Sequence, residues 1–170
     1  EELRTGKKLA PQLDFGTVGV EQKAWVSLLN NQELTADDPV SYLVSDEWFD
    51  LLKNAKESWQ KHYHLALNYY RRKDWERAEK EVAAAGEISG NRYLLHILAN
   101  IRRQQNRFIE SAELIYQAGK LDLSDASFLK EVVKMLLWLN DYEKMNHLIG
   151  ICDIKVQNLP FIKFMKACAL

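Results

Sequence analysis

Residues 59–85 read WQKHYHLALNYYRRKDWERAEKEVAAA, and this stretch decides the fold. It carries the pattern Tyr69-x5-Trp75-x2-Ala78-x3-Val82-x2-Ala85. Shifted by 34 residues, Trp75 falls on Ile109, Ala78 on Ala112, Val82 on Tyr116, Ala85 on Gly119 and His62 on His96. A further shift of 33 brings Ile109 to Tyr142, Ala112 to Met145, Tyr116 to Ile149 and Gly119 to Cys152. Apolar positions at helical spacing, broken by short polar turns, predict paired helices that recur along the chain. The expected helices lie near 59–72, 75–87, 92–104, 108–120, 125–138, 142–152 and 160–170. Small residues such as Ala66, Ala78, Ala85 and Ala112 let two helices approach, and Leu65, Tyr69, Trp75 and Tyr116 fill the space between pairs.

This period, with Leu65-Ala66, Tyr69, Asp74-Trp75 and Ala78 in the first copy, resembles degenerate tetratricopeptide (TPR) repeats. The second copy keeps Ala112 and Tyr116 but has Arg103 where the family has Tyr. The third keeps the Asn140-Asp141-Tyr142 turn, and Pro160 opens the first helix of a fourth. The resemblance implies an all-α, right-handed solenoid of helical hairpins. It further implies a groove lined by the first helix of each pair. Mapped onto this chain, that groove stripe is Tyr63, Leu67 and Tyr70, then Leu94, Ile97 and Ile101, then Lys130, Lys134 and Leu137. Tyr63 and Leu67 stand where one TPR class has the Lys and Asn that grip a peptide carboxylate, so that clamp is not expected. An exposed apolar stripe calls for an occupant. Partner-binding roles are therefore expected for Tyr63, Leu67, Tyr70, Leu94, Ile97, Ile101, Lys130 and Lys134.

Ahead of the repeats, residues 1–20 hold Gly6, Pro11, Gly16 and Gly19 and read as an extended lead. A helix is expected over 20–31, carrying Trp25, Leu28 and Leu29 on one face. A linker follows at 30–41. A second helix over 46–56 is capped by Ser45, with Asp46 and Glu47 in its first turn. The expected division is 1–57 for the lead and two helices, and 58–170 for about three repeats plus a final helix. The run Leu13-Asp14-Phe15-Gly16, Trp25 to Leu29, and Glu47-Trp48-x2-Leu51-Leu52 resembles the region before the TPR tail in large bacterial proteins with a glycoside-hydrolase-like module. That resemblance implies an accessory, non-catalytic C-terminal segment of a carbohydrate-active protein.

Composition narrows the function. The chain has 170 residues, 47% of them apolar, with 23 basic and 24 acidic side chains and a net charge of −1. That balance, without aromatics between the basic residues, argues against nucleic-acid binding. The lead is acidic, with 4 basic and 10 acidic residues in 1–50, against 12 and 7 in 51–110. It is a second expected occupant of the groove. No run approaches the ~20 apolar residues of a membrane span, and neither a membrane partner nor a signal peptide is expected. The opening Glu1 and the abrupt last helix read as a piece of a longer chain, which the second resemblance implies is bacterial, and a cytoplasmic location is expected.

Little chemistry is expected. His62 and His64 are two apart on a helix, about 200° around its axis, and cannot share an ion. His62 and His96 take a packing position, and His147 stands alone. Cys152 and Cys168 read as reduced, buried thiols. Phosphate-loop and hydrolase motifs are missing. Arg71-Arg72-Lys73, Arg102-Arg103 and Arg107 sit at helix ends, where cations suit the dipole. The sequence therefore predicts a non-catalytic interaction scaffold with no metal and no cofactor. Its expected partners are a protein or peptide, another domain of the parent chain, or a second copy in a weak homodimer.

Overall fold

The computed structural model describes residues 23–30, 32–34 and 44–168. The expected lead at 1–20, with Leu13 to Gly16, lies outside the described residues, as does most of the 30–41 linker. The described residues form helices without strands. They are α1 (Lys23–Leu29), α2 (Asp46–Asn54), α3 (Trp59–Arg71), α4 (Trp75–Ala84), α5 (Arg92–Gln104), α6 (Phe108–Lys120), α7 (Ala126–Trp138), α8 (Tyr142–Ile151), α9 (Ile154–Gln157) and α10 (Pro160–Ala167). Among the described residues no helix is long and apolar enough to cross a membrane.

Three hairpins, α3–α4, α5–α6 and α7–α8, share one turn. Lys73, Asn106 and Asn140 each have φ near +60°, the left-handed region. In each turn the amide of that residue donates to the carbonyl three residues back, and the next amide reaches the carbonyl five back. Asp74 donates to Tyr69 at 3.0 Å, Arg107 to Arg102 at 2.8 Å and Asp141 to Leu136 at 3.0 Å. These nested bonds satisfy carbonyls that a helix end leaves unpaired. The same residue that closes one helix then opens the next. The Asp74 and Asp141 carboxylates accept from the amides of Arg77 and Lys144. Arg107 has no such acceptor, and its guanidinium instead grips Glu110 at 2.7 and 2.5 Å.

These turns correct the repeat register. The left-handed residues are spaced 33 and then 34 apart, the reverse of the order read from residue types. His62 therefore corresponds to Leu95 rather than His96, and Ala78 to Ser111 rather than Ala112. Ala78, Ser111 and Met145 are all fully buried. Ser111 fits its slot because its hydroxyl donates to the Ala99 carbonyl on α5 at 2.8 Å.

The chain divides into two compact units at Ala85–Gly86. In the first unit α1 packs on α2, α2 on α3 and α3 on α4. Its core is Trp25, Leu28, Leu34, Trp48, Leu52, Ala55 and Leu65. Ser45 does stand at the N-cap of α2, but its side chain makes no capping bond. Arg72 fastens α2 instead. It lies 4.1 Å over the Phe49 ring and pairs with Asp46.

In the second unit α6 and α7 are central, flanked by α5, α8 and α10. Ile115, Leu129, Val132, Leu136, Met145, Leu148 and Ile162 form the core. Gly119 marks the closest approach. A Cβ there would lie 2.8 Å from a Leu148 methyl and 3.0 Å from a Val132 methyl. Arg92 of α5 ties the α6–α7 loop through Asp122 at 2.8 Å and Asp125 at 3.0 Å. Asp153 caps the unexpected α9, and its amide donates to Leu123.

The turn geometry sets a test. Lys pays more than Asn for the left-handed region, because the Asn side chain bonds its local backbone. Lys73→Gly should stabilise the chain by roughly 0.5–1 kcal/mol in denaturant titration, and Asn140→Gly by less. Asp141→Ala should cost about 1 kcal/mol.

Candidate functional site

The expected contact stripe does not form an open surface. Tyr63, Leu94, Ile97 and Ile101 are buried, so they serve packing and offer nothing to a partner. Leu67 and Tyr70 are half-buried, and the Tyr70 ring packs on Trp75 at 5.1 Å. Lys130 and Lys134 are exposed. Lys130 lies 4.9 Å over the Phe161 ring and Lys134 pairs with Glu131. The apolar faces of these helices are broad, and a broad apolar face goes into packing.

One exposed apolar patch of the second unit lies at the turns of α5–α6 and α7–α8. Trp138 is 56% exposed and Ile109 88%, with Phe108 and Tyr142 also exposed. The Phe108 and Trp138 rings meet edge to face at 5.9 Å. Arg103 stacks over Trp138 at 4.9 Å. Phe108, Ile109, Ala112, Leu139 and Tyr142 line an open cleft of about 390 Å³, with Asp141, Glu143 and Lys144 at its rim. The polar turns position the patch. Each turn fixes the last residues of one helix beside the first residues of the next, so Trp138, Phe108, Ile109 and Tyr142 gather at one end. Aromatic rings on rigid helix ends, rimmed by charge, are the composition of protein contact surfaces. The sequence signal was present in Phe108-Ile109 and in Trp138 beside the turn. The alignment assigned Ile109 and Tyr142 to packing.

The titratable groups of the first unit are structural. His62 lies between two carboxylates, 2.8 Å from Glu57 and 2.7 Å from Glu81, and so links α4 to the α2–α3 loop. Lys61 is buried and donates to the Ala55 carbonyl at 2.9 Å and to Glu57 at 2.5 Å. Its bond and that of His62 hold the Glu57 carboxyl below the usual carboxylate range. His64 is buried against Trp25, ring centroids 5.5 Å apart, and its Nδ1 has no hydrogen-bond partner. Burial lowers its pKa to about 4.

In the second unit, His147 is not alone, because its Nδ1 meets the Tyr116 hydroxyl at 2.8 Å. Burial lowers the pKa of His96, whose ring packs on Phe128. Cys152 is buried, and burial raises its thiol pKa. Cys168 is exposed at the end of α10, contrary to the expectation that both thiols are covered. The helix-end arginines are engaged within their units. Arg71 donates to the Val44 carbonyl, and Arg102 pairs with Glu110. Among the described residues no group of three or more His, Cys, Asp or Glu is placed to hold a metal ion.

No protein-family model, curated protein or solved structure matches this chain.

His64 makes the first unit acid-sensitive. Its folded pKa lies below the unfolded value, so between pH 6.5 and about 4 the unfolded chain binds a proton that the folded chain refuses. Stability falls as pH drops through that window. The loss from this group is about 3 kcal/mol. Denaturant titrations from pH 7.5 to 4 should show that slope, and His64→Leu should flatten it.

Proposed function

We propose that this chain is a tetratricopeptide-like solenoid module that holds another protein, or another domain of its parent chain, and performs no chemistry itself. The observation that carries this reading is the exposed patch of Phe108, Ile109, Trp138 and Tyr142 around its cleft. Large apolar side chains on a rigid scaffold cost solubility unless they meet a partner. Three hairpins closed by the same turn at 33- and 34-residue spacing support the repeat assignment. The engagement of the histidines, Lys61 and the helix-end arginines in internal contacts supports a scaffold role. In this reading the contact surface is the turn end of the second unit and not the first-helix stripe.

The test is the pair Ile109→Glu and Trp138→Ala. Both positions are exposed, so the far-ultraviolet dichroism and Tm should stay close to the parent. A partner recovered at stoichiometric amounts with the parent chain should bind the double variant at least about tenfold more weakly. A partner that binds the double variant unchanged would move the contact surface away from the patch.

A further inference from the structure

The C-terminal helices carry a second exposed surface of different character. From Ile154 to Leu170 the sequence has Lys155, Lys163 and Lys166 and no acidic residue. These three lysines are exposed, and among the described residues none pairs with a carboxylate. Lys130 of α7 adds a fourth charge beside α10, over the Phe161 ring. Beside the lysines stand Ile154 and Phe164, each 64% exposed, and Leu159. The inner faces of the same helices, Val156, Ile162 and Met165, are buried in the core. The outer residues are therefore free to meet something while the fold stays intact. Acids on adjoining elements are few. The Asp153 carboxylate accepts the Lys155 amide, Glu131 pairs with Lys134, and Glu143 lies at the rim of the cleft on α8.

We propose that the outer face of α9 and α10 docks on an anionic membrane surface, with Ile154, Leu159 and Phe164 inserted at the interface and Lys155, Lys163 and Lys166 on the lipid headgroups. Single-sign charge interleaved with apolar side chains is the composition of interfacial segments. Long lysine stems let the ammonium groups reach headgroup phosphates while the methylenes stay in the apolar layer. Ile154 and Phe164 are each 64% exposed beside lysines that, among the described residues, no carboxylate pairs. Apolar side chains this exposed, next to single-sign charge, suit an anionic lipid surface, which takes them in without requiring a groove. The lack of a spanning helix is no obstacle, because interfacial contact requires none.

The experiment is cosedimentation of the full chain with vesicles of phosphatidylcholine mixed with phosphatidylglycerol, compared with phosphatidylcholine alone. The chain should sediment with the anionic vesicles only and should be released by salt near ~0.5 M. Each lysine near an anionic surface contributes about fivefold. Lys163→Glu with Lys166→Glu should therefore weaken partition by at least about 25-fold. Phe164→Ser with Ile154→Ser should also weaken it, and all four sites are exposed, so Tm should hold. Failure to bind anionic vesicles would overturn the proposal, as would binding that survives both double variants. An acidic amphipathic peptide that binds through these residues, without vesicle binding, would also overturn it and make the face a protein-docking surface.

Discussion

Everything in the hairpins depends on a single backbone residue that bends the wrong way. In these hairpins one helix ends and the next begins within three residues because one residue enters the left-handed region and turns its neighbours' amides back onto the last carbonyls. Lys73, Asn106 and Asn140 do this, and none of them is glycine. Their strain is offset by two nested bonds and, at Asp74 and Asp141, by a cap on the following helix. The turn fixes the register of the two helices. The register in turn decides which small residue faces which carbonyl, as with Ser111 and Ala99.

The two units solve the same burial problem with different side chains. The first fills its core with aromatic rings, Trp25 against Trp48 and His64, and tolerates a histidine that cannot be protonated cheaply. The second uses aliphatic residues and a glycine that admits close helix approach. Some aromatics of the second unit, Tyr116, Phe128 and Phe161, pack against that core, and others lie at its surface. Phe108, Trp138 and Tyr142 gather at the turns, where they stabilise little and remain available for contact.

The sequence made the helices legible, because apolar spacing and turn residues agree over residues 59–167. Helix starts at 59, 75, 92, 108, 142 and 160 coincide with the expected ones. The register was not legible. In the second hairpin Arg107 replaces the acidic cap, so residue-type similarity at Ala112 and Tyr116 pulled the alignment one place too far. The four-residue α9 was missed because its determinants, the Asp153 cap and the Leu123 carbonyl, lie outside any periodic pattern. The burial of part of the contact stripe was not legible for a different reason. Burial of Leu94, Ile97 and Ile101 depends on how many neighbours a helix has, and a single helix's periodicity does not report that number.

One turn geometry closes all three hairpins. Amide hydrogen exchange on the full chain tests it directly at Asp74, Arg107 and Asp141. All three amides should be protected at least ~100-fold over an unstructured chain, because each donates to a carbonyl five residues back. Exchange at unstructured rates at any of the three, with the flanking helices protected, would contradict it.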